Sequence, residues 1–209
     1  MKMNKRRIQR ITAIALLSAI AAVLMLFDFP LFFAPAFYEL DFSEVPVLIG
    51  AFAFGPLAGV VIEAVKIVLN FAMNGTITMG IGEIANFLIG VSMVLPASII
   101  YTRCKTKKYA VRGLIVGVIS MTVVGAVLNA YILLPAYAFF MEMEIADFVA
   151  MGSAVNAGIT NIQTLIFFAV VPFNLFKGIV VSLIVFLIYK KVSPLLKADD
   201  MYDGESCDI

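Results

Sequence analysis

The sequence predicts an all-α integral membrane protein of six transmembrane helices with both termini in the cytoplasm, and three observations predict it. Hydrophobic residues make up 63% of the chain and charged residues 14%, with a mean hydropathy of +1.05. Soluble domains carry roughly a quarter charged and just under half apolar residues, so the surplus implies surface that faces lipid. The apolar residues fall in runs of spanning length. The basic residues gather in three clusters between those runs: Lys2, Lys5, Arg6, Arg7 and Arg10; Arg103, Lys105, Lys107, Lys108 and Arg112; Lys190, Lys191 and Lys197. Basic loops stay on the cytoplasmic side, so all three clusters belong there.

The spans are expected near 11–28, 45–54, 56–72, 80–101, 111–136 and 174–191. The first run, Ile11 to Phe27, nearly matches a hydrocarbon core of about 30 Å at about 1.5 Å per residue. Its basic lead and the following Ala34-Pro35-Ala36 resemble a signal peptide, but the run exceeds the usual apolar region of about 7 to 15 residues. Cytoplasmic clusters demand an even number of crossings between them. The stretch 45–72 must therefore be two helices, and Gly55-Pro56 is where a helix should break. The second span then covers only about 15 Å. So short a helix is tolerated where protein or a water-filled cavity covers its end, and such interruptions mark binding sites. Residues 155–172 are apolar yet fall outside by parity, and are expected as a cap on the outer leaflet. Residues 1–198 read as one membrane domain and 199–209 as a flexible tail.

Composition also excludes functions. The chain has no His, which removes imidazole bases and nearly all zinc sites, and no metal or cofactor is expected. A net charge of +1 excludes nucleic acid as a partner. No GxxxxGK[ST] pattern occurs, so ATP is not hydrolysed by that route. Ser153 is a nominal nucleophile without a His or a G-x-S-x-G frame, and the chain reads as no enzyme. The lipid bilayer is its surroundings, and energy for any transport must come from elsewhere.

In this topology the polar residues gather at the outer end. The loop after the first helix carries Tyr38, Glu39, Asp41, Ser43 and Glu44; Asn129 and Tyr131 approach from the fifth span, Asn174 and Lys177 from the last. An unpaired polar group in hydrocarbon costs several kcal/mol, so these need each other or a ligand. Asn174 and Lys177, three apart, are expected on one face of the last helix's first turn, beside unsatisfied backbone N–H groups. A carboxamide next to an ammonium suits a planar heterocycle with an imide edge. The alternative is that Lys177 snorkels and Asn174 caps the helix. Glu63 and Lys66, also three apart, are expected to neutralise each other. Ala15 with Ala19 and Ser18 with Ala22 form two small-xxx-small registers that admit a close helix, within the chain or from a partner.

The stretch FYELDFSEVPVLIGAFAFGPLAGVVIEAVK (37–66), the AxxxA of the first helix and PFNLFKG (172–178) together resemble the riboflavin-specific substrate-binding (S) components of energy-coupling-factor (ECF) vitamin transporters. The resemblance covers nearly the whole chain, and 37–66 is its most specific part. It implies a six-helix protein that captures riboflavin as transported ligand, with an energising module of one transmembrane coupling protein and two ATPases as partner. It further implies substrate contacts from Glu39, Leu40 and Asp41 on the first loop, from Asn129, and from Asn174 and Lys177, with Tyr131 and Gly178 in matching neighbourhoods. The docking face for the coupling protein would be Ala15 and Ala19, with Ser18 and Ala22 beside them. An S component for another vitamin or for flavin mononucleotide, or a stand-alone facilitator, would share this architecture.

Overall fold

The computed structural model describes residues 5–76 and 78–196; the expected tail at 199–209 lies outside them. Five helical stretches among the described residues are long and apolar enough to cross a membrane: Lys5–Met25, Pro56–Asn74, Ile81–Arg103, Lys107–Phe140 and Ile162–Ile188. The fold is all-α, with two strands of two residues each as the sheet content of the described chain.

Helix α1 (Lys5–Met25) leads through a loop into the short α2 (Glu44–Phe54), which is separated by one residue from α3 (Pro56–Asn74). The break falls where the sequence predicts it. Gly55 has φ 95°, a conformation that glycine adopts without penalty, and Pro56 opens α3 where its missing N–H is no loss. Arg10 Nη2 donates to Phe54 O at 2.8 Å and closes the last turn of α2. Every residue of α2 from Glu44 to Ala53 is buried, so this helix is the axis of the bundle, packed on by α1, α3, α4 (Ile81–Arg103) and the last helix. Val47, Leu48 and Phe52 of α2 share a core with Leu17, Ile62, Met93, Met121 and Val181. The Phe52 ring stacks on Tyr101 at 4.6 Å.

The length that α2 lacks is filled by the chain before it. Strand β1 (Phe29–Pro30) pairs antiparallel with β2 (Glu39–Leu40), and Ala34 and Leu40 close a small core against Phe173. This loop covers one end of the bundle, opposite the end that carries the basic residues.

Two helices widen into π turns, at Asn129–Leu133 between α5 (Lys107–Leu128) and α6 (Leu134–Phe140), and at Ile166–Val170 between α8 (Ile162–Leu165) and α9 (Val171–Leu196). A proline follows each, Pro135 and Pro172. Proline lacks the N–H and crowds the carbonyl four residues back, and a widened turn lets the helix pass it. The last helix therefore starts at Ile162 rather than near 174. Its cap is Asn161, whose side chain accepts from Thr164 N at 2.9 Å. Of the segment expected as a cap, only the part before Asn161 lies outside that helix. It follows α7 (Ile145–Val155), and Phe148 and Ile159 pack with Leu134, Leu165 and Ala169.

Candidate ligand-capture site

Asp41 stands where the loop enters α2. Its Oδ1 accepts from Ser43 N at 2.8 Å, an Asx turn that fixes the carboxylate, and its Oδ2 accepts from Lys177 Nζ at 2.6 Å. Both side chains are 8% exposed, so Lys177 does not snorkel. Burial pushes the Asp41 carboxyl up, but the Lys177 ammonium and, behind it, Lys66 outweigh burial and hold it down to about 2.

Above this pair lie two carboxamides. Asn129 donates to Gly125 O at 2.8 Å and accepts from the Tyr38 hydroxyl at 2.7 Å. Asn174 donates to Val170 O at 2.9 Å. A Cβ at residue 125 would meet the Asn174 carboxamide at 3.0 to 3.2 Å, so glycine there lets α9 bring Asn174 against α5. Asn129 opens one π turn, and Asn174 lies four residues beyond Val170, the last residue of the other. Tyr38 is wedged between Phe37 and Phe173, with ring centroids at 4.5 and 5.4 Å. Burial, then nearby Tyr137, pushes its hydroxyl up, so it stays a neutral donor.

A second cluster continues from the first. Ser43 Oγ accepts from Lys66 Nζ at 3.2 Å, and Lys66 pairs with Glu44 at 2.9 Å and Glu63 at 2.7 Å. The expected Glu63–Lys66 pair is present with Glu44 as a further member. A Cβ at Gly90 would run into the Glu63 carboxylate, so glycine makes the room on α4. The Oε2 atoms of Glu44 and Glu63 are buried without a hydrogen-bond partner among the described residues.

The structure brings Asp41, Asn129, Asn174 and Lys177 to one buried zone and adds Tyr38, Ser43 and Phe173. It places the other expected residues elsewhere. Asn174 neither caps a helix nor lies in a first turn, because α8 and the π turn continue the helix upstream; the donor-rich helix end is therefore absent at that position. Tyr131 is 79% exposed and turned away from Asn129. Gly178 packs against Val118, its would-be Cβ at 3.1 Å, and serves the α5–α9 contact. Leu40 is buried in the loop's own core, while Glu39 is exposed beside Asp28, and its partial burial and then that carboxyl push its own carboxyl up. On α1, Ala15 and Ala19 are exposed, but Ser18 and Ala22 face the chain's own core, and Ser18 Oγ donates to Ile14 O at 2.8 Å. The second register is thus spent on internal packing.

A bundle of apolar helices that buries an ammonium and two carboxamides beneath a folded loop, with no nucleotide-binding loop in its sequence, defines a membrane-embedded subunit for solute capture. The chain belongs to the family of ECF transporter substrate-specific components, whose model matches residues 9–189. That family is a transporter component and not an enzyme. The chain is 38% identical over 198 residues to "Riboflavin transporter RibU" of Staphylococcus aureus (strain TCH60), covering 94% of this chain and 96% of the relative. It is 33% identical over 192 residues to "Riboflavin transporter FmnP" of Bacillus subtilis (strain 168), covering 91% and 95%. A solved structure described as "Structure and mechanism of the S component of a bacterial ECF transporter" superposes with a TM-score of 0.71 at 36% identity, covering 91% of this chain and 99% of that one.

Proposed function

We propose that this subunit captures riboflavin at the loop-covered end of the bundle and delivers it across a prokaryotic plasma membrane together with an energising module. The observation that carries the reading is the convergence of Asn129, Asn174 and Lys177 under one loop, at a depth where polar groups are retained only for partners. Riboflavin has a flat tricyclic ring, an imide edge and a chain of hydroxyls. Asn174 and Lys177 take the imide edge in this reading, Asn129 and the loop carboxylates the hydroxyls, and Tyr38 and Phe173 the ring. Tyr38 and Asp41 now satisfy Asn129 and Lys177, so the loop shifts as the ligand takes their place.

The chain crosses six times in this reading, α2 counting as a crossing whose outer half is replaced by the loop, with both termini cytoplasmic. The module consists of a transmembrane coupling protein and two ATPases. Ala15 and Ala19, exposed on α1, are its docking face. The purified full chain should be yellow and should quench the fluorescence of added riboflavin. A colourless preparation that leaves that fluorescence unchanged overturns the assignment of the vitamin. Replacing Ala19 with Trp should abolish uptake in cells carrying the module while leaving quenching intact; loss of quenching with intact uptake would overturn the docking face.

A further inference from the structure

We infer that the groove between α5 and α9 seats one anionic phospholipid, with an acyl chain along the groove and the phosphate on Lys108 and Arg112. The groove has a volume of about 480 Å³, and apart from Ser182 every wall residue is hydrocarbon. Its α5 wall is a helical ridge, Val111, Ile115 and Ile119, and its α9 wall is Ile179, Leu183 and Phe186. Because α5 and α9 run antiparallel and meet at Val118 and Gly178, the Val111 and Phe186 end of the groove is the basic end of the bundle. From Val111 to Ile119 it runs about 12 Å, at 1.5 Å per residue, which suits an extended hydrocarbon chain lying along the helices.

Charge selects the occupant. Lys108, Val111 and Ile115 stand at i, i+3 and i+7, and Arg112, Ile115 and Ile119 repeat that spacing, so both cations lie on the ridge that forms the wall. Both are exposed, and the Arg112 guanidinium is held 5.6 Å over the Tyr109 ring. From Arg103 to Arg112 the sequence has five cations and no acid. A phosphate there completes charges that an apolar helix would leave unpaired, and a lipid carrying its own ammonium meets repulsion from the same residues. The phosphate position on Lys108 and Arg112 lies at the opposite end of the groove from Leu175, the neighbour of Asn174, and does not depend on which solute the capture site binds.

Native mass spectrometry of the full chain released from detergent with equimolar phosphatidylglycerol and phosphatidylcholine tests this. Wild type should retain one phosphatidylglycerol with a preference of about tenfold. The double variant Lys108→Gln/Arg112→Gln should lose the preference, and Ser182→Phe, which fills the groove, should lose retention of both lipids. Equal retention of the two lipids by wild type, or a preference that survives the double variant, overturns the inference. Retention unchanged by Ser182→Phe removes the acyl chain from the groove and overturns it as well. Melting of each variant at the wild-type temperature separates loss of lipid from loss of fold.

Discussion

Two buried lysines in this bundle stand in opposite circumstances. Lys177 on α9 faces one carboxylate, Asp41, and the pair is balanced. Lys66 on α3 faces two, Glu44 and Glu63, and two carboxylate oxygens there have no hydrogen-bond partner among the described residues. The balanced pair joins the covering loop to a helix, and under the proposed function it parts when the ligand displaces the loop. The unbalanced cluster ties α2 to α3 within a hairpin whose two helices are joined through one residue, so no comparable motion is open to it. Burying charge is costly, and a pair is retained in lipid only where its loss is costlier still. The same chemistry thus clamps two helices together in one place and, under the proposed function, latches a displaceable loop in the other.

The largest effect should come from breaking the clamp. Lys66→Met leaves two buried carboxylates facing each other and should destabilise the chain by about 3 to 5 kcal/mol, the usual cost of stripping one partner from a buried ion pair. Thermal melting in detergent checks it, and Glu63→Gln in the same chain should restore part of the loss. An unchanged melting temperature would make the cluster incidental.

A smaller effect should appear when the latch is titrated. The Asp41 carboxyl is held from an ordinary 3.8 down to about 2 in the folded chain, so the folded state favours the ionised form. Its contribution, about 2 kcal/mol from the size of that depression, is complete above the unfolded value and is lost as pH falls through the folded one. Melting temperatures of wild type and of Asp41→Asn should therefore differ by a constant amount above about pH 4 and converge between about pH 4 and pH 2. A difference that persists at pH 2 would contradict the pairing.

The smallest effect should come from Tyr38→Phe, which removes one neutral hydrogen bond to Asn129 and keeps the ring. A loss of about 0.5 to 1.5 kcal/mol in stability is expected from melting curves. A loss several times larger would mean that Tyr38, rather than the Asp41–Lys177 pair, holds the loop down.

Much of this was legible in the sequence. The apolar runs and the Gly55-Pro56 break mark the helices, since spanning length and the backbone needs of glycine and proline are local properties. The polar residues of the site were legible as a set, because each is costly in lipid. Which of them face inward was less so. Tyr131 lies two residues from Asn129, and residues two apart on a helix do not share a face. Gly178 is one residue past Lys177 and turns to α5 for the same reason. The registers Ala15/Ala19 and Ser18/Ala22 are alike in size, and only the packing of α2 and α3 decides which is buried. Pro135 and Pro172 signal the π turns, but a proline reads equally as a kink or an end, so the sequence places the start of the last helix near 174 where the structure has it at Ile162. Phe173 lay inside an apolar run without a mark of its own.

Under the proposed function Lys177 holds the loop through Asp41 and, in exchange for it, the ligand. Riboflavin titration of the double variant Asp41→Asn/Lys177→Met tests it most directly, because removing both charges together spares the fold the penalty of an unpaired one. The variant should melt within a few degrees of wild type but bind riboflavin at least about tenfold more weakly, the cost of a lost charge-assisted contact. Wild-type affinity in that variant would contradict it and return Lys177 to a structural role.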